Sequence, residues 1–216
     1  MALTIYGSPR SRTLRVLWAA EELGLAYDHV PLAFDDPALG SPEFLHLNPA
    51  GAIPAIVDEG FALAESLAIN LYLAKKHGSG GDAALYPAGA EAEAEAWRWT
   101  LWAQGHLEPW LQRDALLADA LAALGDPARA WIARQLRVLD EVLATRAWLL
   151  GDRFTIADLN VAAVLSPSRR ARTDLGRVPH VSAWRSRCYG RPAAIAVRER
   201  FASFEDPPRA RIAPVR

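Results

Sequence analysis

The sequence contains only one cysteine, Cys188, among its 216 residues. A single thiol cannot form an internal disulfide and cannot supply a cysteine-rich zinc site. This scarcity is typical of proteins that work in a reducing compartment. Net charge is also almost absent, because 24 basic and 25 acidic residues leave a formal charge of −1. Such a chain has no overall attraction to nucleic acid or to anionic lipid, so we expect neither as a partner.

Long apolar runs are missing as well. No stretch approaches the roughly 18 apolar residues of a membrane span, and the N-terminus lacks the apolar core of a signal peptide. Apolar residues nevertheless make up 51% of the chain, against 23% charged residues, which is the balance of an ordinary globular protein. We therefore expect a soluble cytoplasmic protein that has no membrane partner.

The first third of the chain alternates short apolar runs with helical patterns. The run LTIY at Leu3–Tyr6 predicts a buried strand, and a helical repeat of apolar residues follows Ser11. Further along, the patterns predict a strand in 26–32, a helix in 41–49, a hairpin in 54–63 and a helix from Ser66. The predicted order is β-α-β-α-β-β-α, and the first β-α-β unit is expected to be parallel.

Beyond this region the composition changes. The glycine-rich segment 78–87 is typical of a linker, and the residues after it show helical periodicity with no strand pattern. The C-terminal residues carry too many prolines and charges for regular structure. The predicted organisation is an α+β domain at 1–78, a linker at 79–88, an all-α domain at 89–205 and a tail at 206–216.

Four stretches carry a resemblance to a known family. They are YGSPRSRTLRV, LNPAGAIPAIV, ALAESLAINLYLA and FTIADLNVAAVL, in that order along the chain. Together they resemble the cytosolic glutathione S-transferase family, and the first is similar to its bacterial serine-type (theta/nu-like) members. The resemblance implies a thioredoxin-like first domain that binds glutathione as co-substrate, and an all-helical second domain that holds a small electrophile. It also implies a homodimer and a reaction that uses no metal.

Pro54 heads the apolar run PAIV. A proline cannot donate to a strand ladder, so Pro54 must begin the strand or follow a special peptide bond. The resemblance implies a cis bond between Ile53 and Pro54, with the backbone of Ile53 turned towards the extended peptide of glutathione. Without the resemblance, an ordinary trans bond at a strand start is the more frequent arrangement.

Glu65 and Ser66 stand where the next helix should begin. A hydroxyl at a helix N-cap satisfies free backbone N–H groups, which is a purely structural role. The same helix start is also a natural anion site. The resemblance implies that Ser66 binds the γ-glutamyl carboxylate of glutathione while Glu65 binds its ammonium group.

Ser11 precedes the first helix and matches the serine position of the family. A free thiol has a pKa of ~8.5, so only a small fraction is thiolate at neutral pH. A hydroxyl donor beside a helix N-terminus would favour the thiolate of glutathione. The alternative for Ser11 is again a structural cap. Tyr6, and after it Ser8, are the rival activating residues. Arg12 is one of three arginines at this helix start, and we expect it to lie beside the bound anion.

Trp102, His106 and Trp110 are spaced four residues apart and should share one helix face. Such an aromatic face could contact a flat apolar electrophile, although packing in the core or at an interface is the commoner role of tryptophan.

Ala52 is a departure, because the family usually has at this position a lysine that contacts the glycine carboxylate. The departure favours one alternative function, a non-catalytic binding protein of this fold. A separate alternative is a glutathione-dependent isomerase or dehalogenase. Disulfide chemistry of the glutaredoxin type is not expected, because the turn GSPRS has no cysteine. Finally, Thr155 and Asp158 have the spacing of a capping box, to which we assign folding and no catalysis.

Overall fold

The computed structural model describes residues 3–80, 84–111, 127–166 and 175–205. These residues form two compact units. The first combines the residues up to Gly78 with those from Pro192 onward, and the second runs from Ser79 to Arg191.

The first unit is built on a four-stranded sheet. Its strands are β1 (Leu3–Tyr6), β2 (Tyr27–Val30), β3 (Ala55–Asp58) and β4 (Phe61–Ala64), in the order β2-β1-β3-β4. β2 is parallel to β1, whereas β3 is antiparallel to both of its neighbours. The β3–β4 turn passes through Glu59 and Gly60, whose φ angles of 51° and 89° are those that a two-residue hairpin turn needs.

Four helices accompany this sheet among the described residues. They are α1 (Thr13–Glu22), α2 (Pro42–Leu47), α3 (Ser66–His77) and α8 (Pro192–Arg200), with a short 3₁₀ turn at Pro37–Gly40. α1 packs between α3 and α8 and buries the apolar run from Val16 to Ala20. The observed β-α-β-α-β-β-α order and the following helical unit confirm the predicted fold class.

α8 lies in the first unit, whereas the sequence pattern predicts residues 192–205 as part of the helical domain. It packs against α1. Arg200 forms an ion pair with Glu21 and donates a hydrogen bond to the hydroxyl of Tyr27 at 2.8 Å. The ring of Phe201 lies edge-on to His29 at 5.4 Å. These contacts with α1 and β2 explain why the segment belongs to the first unit.

The second unit is helical in the residues that the structure describes. Its helices are α4 (Ala90–Trp102), which continues as a π-helical segment at Ala103–Leu107, then α5 (Pro127–Leu143), α6 (Ile156–Val164) and α7 (Pro179–Tyr189). Every residue of α6 is buried, and the predicted capping box of Thr155 and Asp158 is present at its start. Among the described residues, no helix has the length and apolar character that spanning a membrane requires.

The predicted linker is only partly separate from the second unit. Residues 84–86 are buried, and the carbonyl of Leu85 accepts a hydrogen bond from the backbone N–H of Ile156 at 2.9 Å. This backbone hydrogen bond ties the buried segment to the first residue of α6. Residues 81–83 and the predicted tail at 206–216 lie outside the described residues.

Candidate functional site

The strand register brings three distant segments to one edge of the sheet. Tyr6, Ala55 and Ala64 are paired in a single row across β1, β3 and β4. Because β3 runs opposite to its neighbours, this row marks the ends of β1 and β4 and the beginning of β3. The residues after β1, before β3 and after β4 therefore meet at the same edge. These are the segments that contain Ser11, Ile53 with Pro54, and Glu65 with Ser66.

The peptide bond between Ile53 and Pro54 is cis, as the family resemblance predicted. The side chain of Ile53 is buried in a small cluster with Leu39, Phe44 and Ala55. Since the side chain points into the unit, the main chain is the part of Ile53 that remains for a ligand at this edge.

The start of α3 differs from the predicted cap. The N-cap residue is Glu65, with φ 69° and ψ 105°, and its side chain makes no capping hydrogen bond. Ser66 is the first helical residue and is buried, whereas Glu65 is exposed. A positive φ is uncommon for a residue other than glycine, and such strain concentrates at ligand sites. A helix start that its N-cap side chain leaves uncapped is well suited to an anion.

Arg15 is a site residue whose contact the sequence did not reveal. Its guanidinium donates a long hydrogen bond from Nη1 to the hydroxyl of Ser66 at 3.4 Å, and both side chains are buried. The two residues are 51 positions apart, so no local pattern could predict the contact. The guanidinium adds positive charge beside the positive end of the α3 dipole, which favours a carboxylate at this place.

Ser11 lies half-buried two residues before the first residue of α1. Its hydroxyl donates to the carbonyl of Ser8 at 2.7 Å and accepts from the backbone N–H of Thr13 at 3.1 Å. The hydroxyl of Thr13 lies 2.8 Å from Ser11 Oγ. Ser11 therefore satisfies one N–H group of the helix start, as its structural alternative predicts, and it also lies at the sheet edge.

The rival activating residues occupy different surroundings. The ring of Tyr6 packs edge-on against Phe44 at 6.1 Å and joins the cluster around Ile53. Ser8 is buried, and its hydroxyl accepts from the backbone N–H of Arg10 at 3.1 Å. Neither arrangement tests the predicted ranking of Ser11, Tyr6 and Ser8.

Arg12 is the N-cap residue of α1 and makes no side-chain capping hydrogen bond. Its side chain is exposed. Its predicted contact with a bound anion stays a prediction.

Gly7 fixes the loop that leads to Ser11. Its N–H donates to Val30 O at 2.9 Å, and its carbonyl accepts from His29 Nε2 at 2.9 Å. Its φ is 128°, and a Cβ at this position would lie 2.2 Å from Thr13 Oγ1 and 2.9 Å from Ile53 Cβ. Only glycine fits here, because the loop, α1 and the residue before the cis-proline converge on its Cα.

The loop before β3 contains the predicted departure at Ala52. Asn48 organises this loop, because its side-chain amide donates to Ala52 O at 2.7 Å and its Oδ1 accepts from Ala50 N at 3.2 Å. The methyl group of Ala52 is exposed. A lysine at position 52 would therefore lie at the surface of this loop, so its absence changes the surface and leaves the core as it is.

The aromatic residues of the second unit pack on α5. Trp102 Nε1 donates to Gln135 at 3.0 Å, and the ring of His106 stacks on Trp131 at 5.8 Å. Both partners lie on α5, so Trp102 and His106 share a face that packs against a neighbouring helix. Trp110 is half-buried. The packing alternative thus accounts for two of the three residues, and their contact with a substrate stays a prediction.

Comparison with known proteins decides the family. The model of the glutathione S-transferase N-terminal domain matches residues 1–75, and that of the C-terminal domain matches residues 107–192. Glutathione S-transferase 3 from Zea mays is 36% identical over 203 residues, which cover 88% of this chain and 90% of that protein. The chain belongs to the glutathione S-transferase family.

Two other relatives extend this finding. A disulfide-bond oxidoreductase, YfcG, from Escherichia coli is 30% identical over 88% of this chain and 92% of its own length. A family member from Pseudomonas fluorescens, solved with two glutathione molecules bound, superposes with a TM-score of 0.76 at 28% identity and covers 91% of this chain and 92% of that chain. The matched N-terminal region contains all the sheet-edge residues described above.

Proposed function

We propose that this glutathione S-transferase is a serine-type glutathione transferase, which binds glutathione along the sheet edge and holds its sulfur as a thiolate. The thiolate attacks an electrophilic carbon of a small apolar substrate. The observation that carries the proposal is the convergence of three segments on one edge, namely the loop of Ser11, the backbone of Ile53 and the start of α3.

The γ-glutamyl end of glutathione is proposed to bind at the start of α3. Its carboxylate accepts from the hydroxyl and backbone N–H of Ser66, with the guanidinium of Arg15 nearby. The exposed carboxylate of Glu65 accepts from the ammonium group. A zwitterion needs an acceptor beside several donors, and this helix start supplies both, together with the positive end of the dipole.

The cysteinyl unit is proposed to pair with the main chain of Ile53 as an added strand. Its sulfur then lies near Ser11 and the N-terminus of α1, with the exposed side chain of Arg12 in reach of the bound peptide. The thiol proton is lost to solvent on binding. The hydroxyl of Ser11 donates to the resulting thiolate, and this charge stabilisation lowers the thiol pKa without a base or a metal.

The reaction is then a displacement. A new carbon–sulfur bond forms as the leaving group departs with its electron pair, and the enzyme contributes mainly by positioning the two reactants. Trp102, His106 and Trp110 of the second unit remain the candidate contacts of the electrophile.

The test combines retention on immobilised glutathione with conjugation of a chlorinated nitroaromatic substrate. We expect the wild type to be retained and to release chloride. Ser11→Ala should lower kcat/KM about tenfold or more, because it removes a hydrogen bond to a charged sulfur. Ser41→Ala is the matched control, since Ser41 caps α2 in the same unit by accepting from Phe44 N at 3.2 Å.

The outcomes separate the alternatives. Unchanged turnover in Ser11→Ala would transfer the activating role, first to Tyr6. Retention without turnover would favour a non-catalytic binding protein, and turnover of an isomerisation or dehalogenation substrate alone would favour those reactions. Absence of both retention and turnover would refute the proposal.

Glutathione-dependent disulfide reduction is a second candidate, favoured by the identity with the Escherichia coli oxidoreductase. The only cysteine of the chain, Cys188, is buried in α7, so the attacking sulfur would have to be that of glutathione itself. One glutathione thiolate would attack a mixed disulfide and release the other thiol. An assay with a glutathione mixed disulfide, run beside the conjugation assay, compares the two activities.

We also propose that the protein is a homodimer. Trp97 and Leu101 lie four residues apart on α4 and are 48% and 64% exposed. Exposed apolar side chains of this size are typical of surfaces that bury themselves against another copy. Sedimentation velocity should show a dimer that Leu101→Arg dissociates. Val138→Arg is the control, because Val138 is an exposed apolar residue on α5.

A further inference from the structure

Thr13 is a residue of the site to which the proposed function gives no role. We propose that Thr13 donates its hydroxyl hydrogen to Ser11 Oγ, and thereby keeps the single hydrogen of Ser11 available for the glutathione thiolate. Thr13 is thus a positioning residue that acts through Ser11. This inference rests on the proposed role of Ser11.

The geometry around Ser11 Oγ is crowded. Three polar atoms surround it: Ser8 O at 2.7 Å, Thr13 Oγ1 at 2.8 Å and Thr13 N at 3.1 Å. The carbonyl of Ser8 can only accept, and the backbone N–H of Thr13 can only donate. The hydroxyl of Thr13 is the one neighbour that could take either role.

Hydrogen counting decides between these two roles. A serine hydroxyl has one hydrogen and two lone pairs. If Ser11 donated to Thr13, its hydrogen would be used and neither Ser8 O nor a thiolate could receive it. If Thr13 donates, both lone pairs of Ser11 Oγ are filled by Thr13 N–H and Thr13 O–H. The hydrogen of Ser11 is then free for an acceptor, as the 2.7 Å contact with Ser8 O requires.

The position of Thr13 is tightly fixed. Its side chain is 0% exposed, and it packs against Gly7 so closely that a Cβ there would lie 2.2 Å from Thr13 Oγ1. Solvent therefore does not compete for its hydroxyl. Thr13 is also the first residue of α1, so the helix holds both its N–H and its hydroxyl in place against Ser11.

With both lone pairs filled by Thr13, the hydrogen of Ser11 is left one direction, the side on which Ser8 O lies. In the free enzyme Ser8 O accepts this hydrogen, and a glutathione sulfur on the same side shares it while both bonds from Thr13 stay in place. A hydroxyl that accepts two hydrogen bonds is polarised and becomes a stronger donor, because hydrogen bonds in a chain reinforce one another. The thiolate is stabilised by the pair of hydroxyls acting in series.

The test compares Thr13→Val, which replaces the hydroxyl by a methyl group of similar size, with Thr13→Ser, which keeps the hydroxyl. The readouts are the pKa of the bound thiol, from thiolate absorbance against pH, and the pH profile of kcat/KM. Thr13→Val should raise the thiol pKa by about half a unit to one unit, with KM for glutathione nearly unchanged. Thr13→Ser should restore the wild-type profile.

A double variant separates this inference from the proposed function. In the Ser11→Ala background, Thr13→Val should cause no further shift of the thiol pKa, because the effect passes through Ser11. A shift in Ser11→Ala without one in Thr13→Val would overturn the role of Thr13 and leave that of Ser11 intact. A full shift from Thr13→Val in both backgrounds would make Thr13 a direct donor to sulfur, which also overturns the inference. No shift in Ser11→Ala would refute the proposed function itself.

Discussion

The starts of α3 and α6 use the same two kinds of side chain in opposite ways. Each has a hydroxyl and a carboxyl group, Ser66 with Glu65 at α3 and Thr155 with Asp158 at α6. At α6 the carboxylate of Asp158 accepts from the backbone N–H of Thr155 at 3.0 Å, and the group is completely buried. At α3 the carboxylate is exposed, and the N-cap side chain makes no capping hydrogen bond.

The order of the residues explains the difference. A capping box needs the hydroxyl at the N-cap and the acid three residues later. In α3 the acid comes first, the hydroxyl follows directly, and the third helical residue is Ala68. This start therefore cannot close on itself through a capping box. We call the capped start of α6 closed, and the start of α3, which its N-cap side chain leaves uncapped, open. The comparison teaches that a closed helix start serves folding, whereas an open one is available for a ligand.

The largest expected effect is on the closed start. Asp158→Ala should lower the free energy of unfolding by about 3–5 kcal/mol, because it leaves several buried donors without an acceptor. Asp158 also accepts from Leu149 N and Trp184 Nε1, both at 2.8 Å. Thermal or urea denaturation measures the loss, with exposed Asp152→Ala as the control. A variant as stable as the wild type would contradict the folding role.

Ser66→Ala tests the open start and should show the reverse pattern. KM for glutathione should rise about tenfold to hundredfold, since a hydrogen bond to a charged carboxylate is lost, while stability changes little. Thr155→Ala is the matched hydroxyl deletion at α6. It should cost about 1–2 kcal/mol of stability with KM unchanged. If both variants moved KM or both moved stability, the distinction between the two starts would be wrong.

Sequence patterns predicted those parts of the molecule that depend on neighbouring residues. The hairpin followed from alternating residues around a glycine turn, and the cis bond before Pro54 followed from a family stretch. The packing of α8 on α1 was not predicted, because only Ala194 and Val197 mark the buried side of this helix. The hydrogen bond from Arg15 to Ser66 was missed because it joins residues 51 positions apart, which meet only once α1 and α3 pack.

The C-terminal end of α3 provides a third comparison, because its charged side chains bind a buried carboxylate. Asp58 is buried and accepts from Lys76 Nζ at 2.8 Å, Tyr72 OH at 3.0 Å and His77 Nε2 at 3.2 Å. Desolvation by burial raises the pKa of Asp58, but the hydrogen bonds from these three residues outweigh it and hold the pKa below the ordinary value of 3.8.

Asp58→Asn should therefore cost about 1–3 kcal/mol of stability at neutral pH, by weakening hydrogen bonds from charged partners. Because the folded-state pKa is lowered, the stabilisation by Asp58 is complete above the ordinary pKa and is lost as the pH falls through the lowered value. The difference in Tm between wild type and Asp58→Asn should be constant near neutrality and shrink below about pH 4. KM for glutathione should not change, since Asp58 lies at the opposite edge of the sheet. The control is exposed Asp28→Asn, and a pH-independent difference would contradict this account.

The smallest expected effect comes from Ala52, the departure from the family pattern. If the glycine carboxylate of glutathione lies over this loop, a lysine at its surface adds a solvent-exposed ion pair. Ala52→Lys should then lower KM for glutathione about twofold to fivefold at low salt, because such pairs contribute about 0.2–1 kcal/mol. The gain should disappear in high salt, where exposed charges are screened. Ala50→Lys places the same charge two residues earlier on the same exposed loop, so equal gains from both variants would indicate general attraction of the anion. A gain confined to residue 52 would place the glycine end of glutathione beside the loop and extend the open site from Ser66 across the whole edge of the sheet.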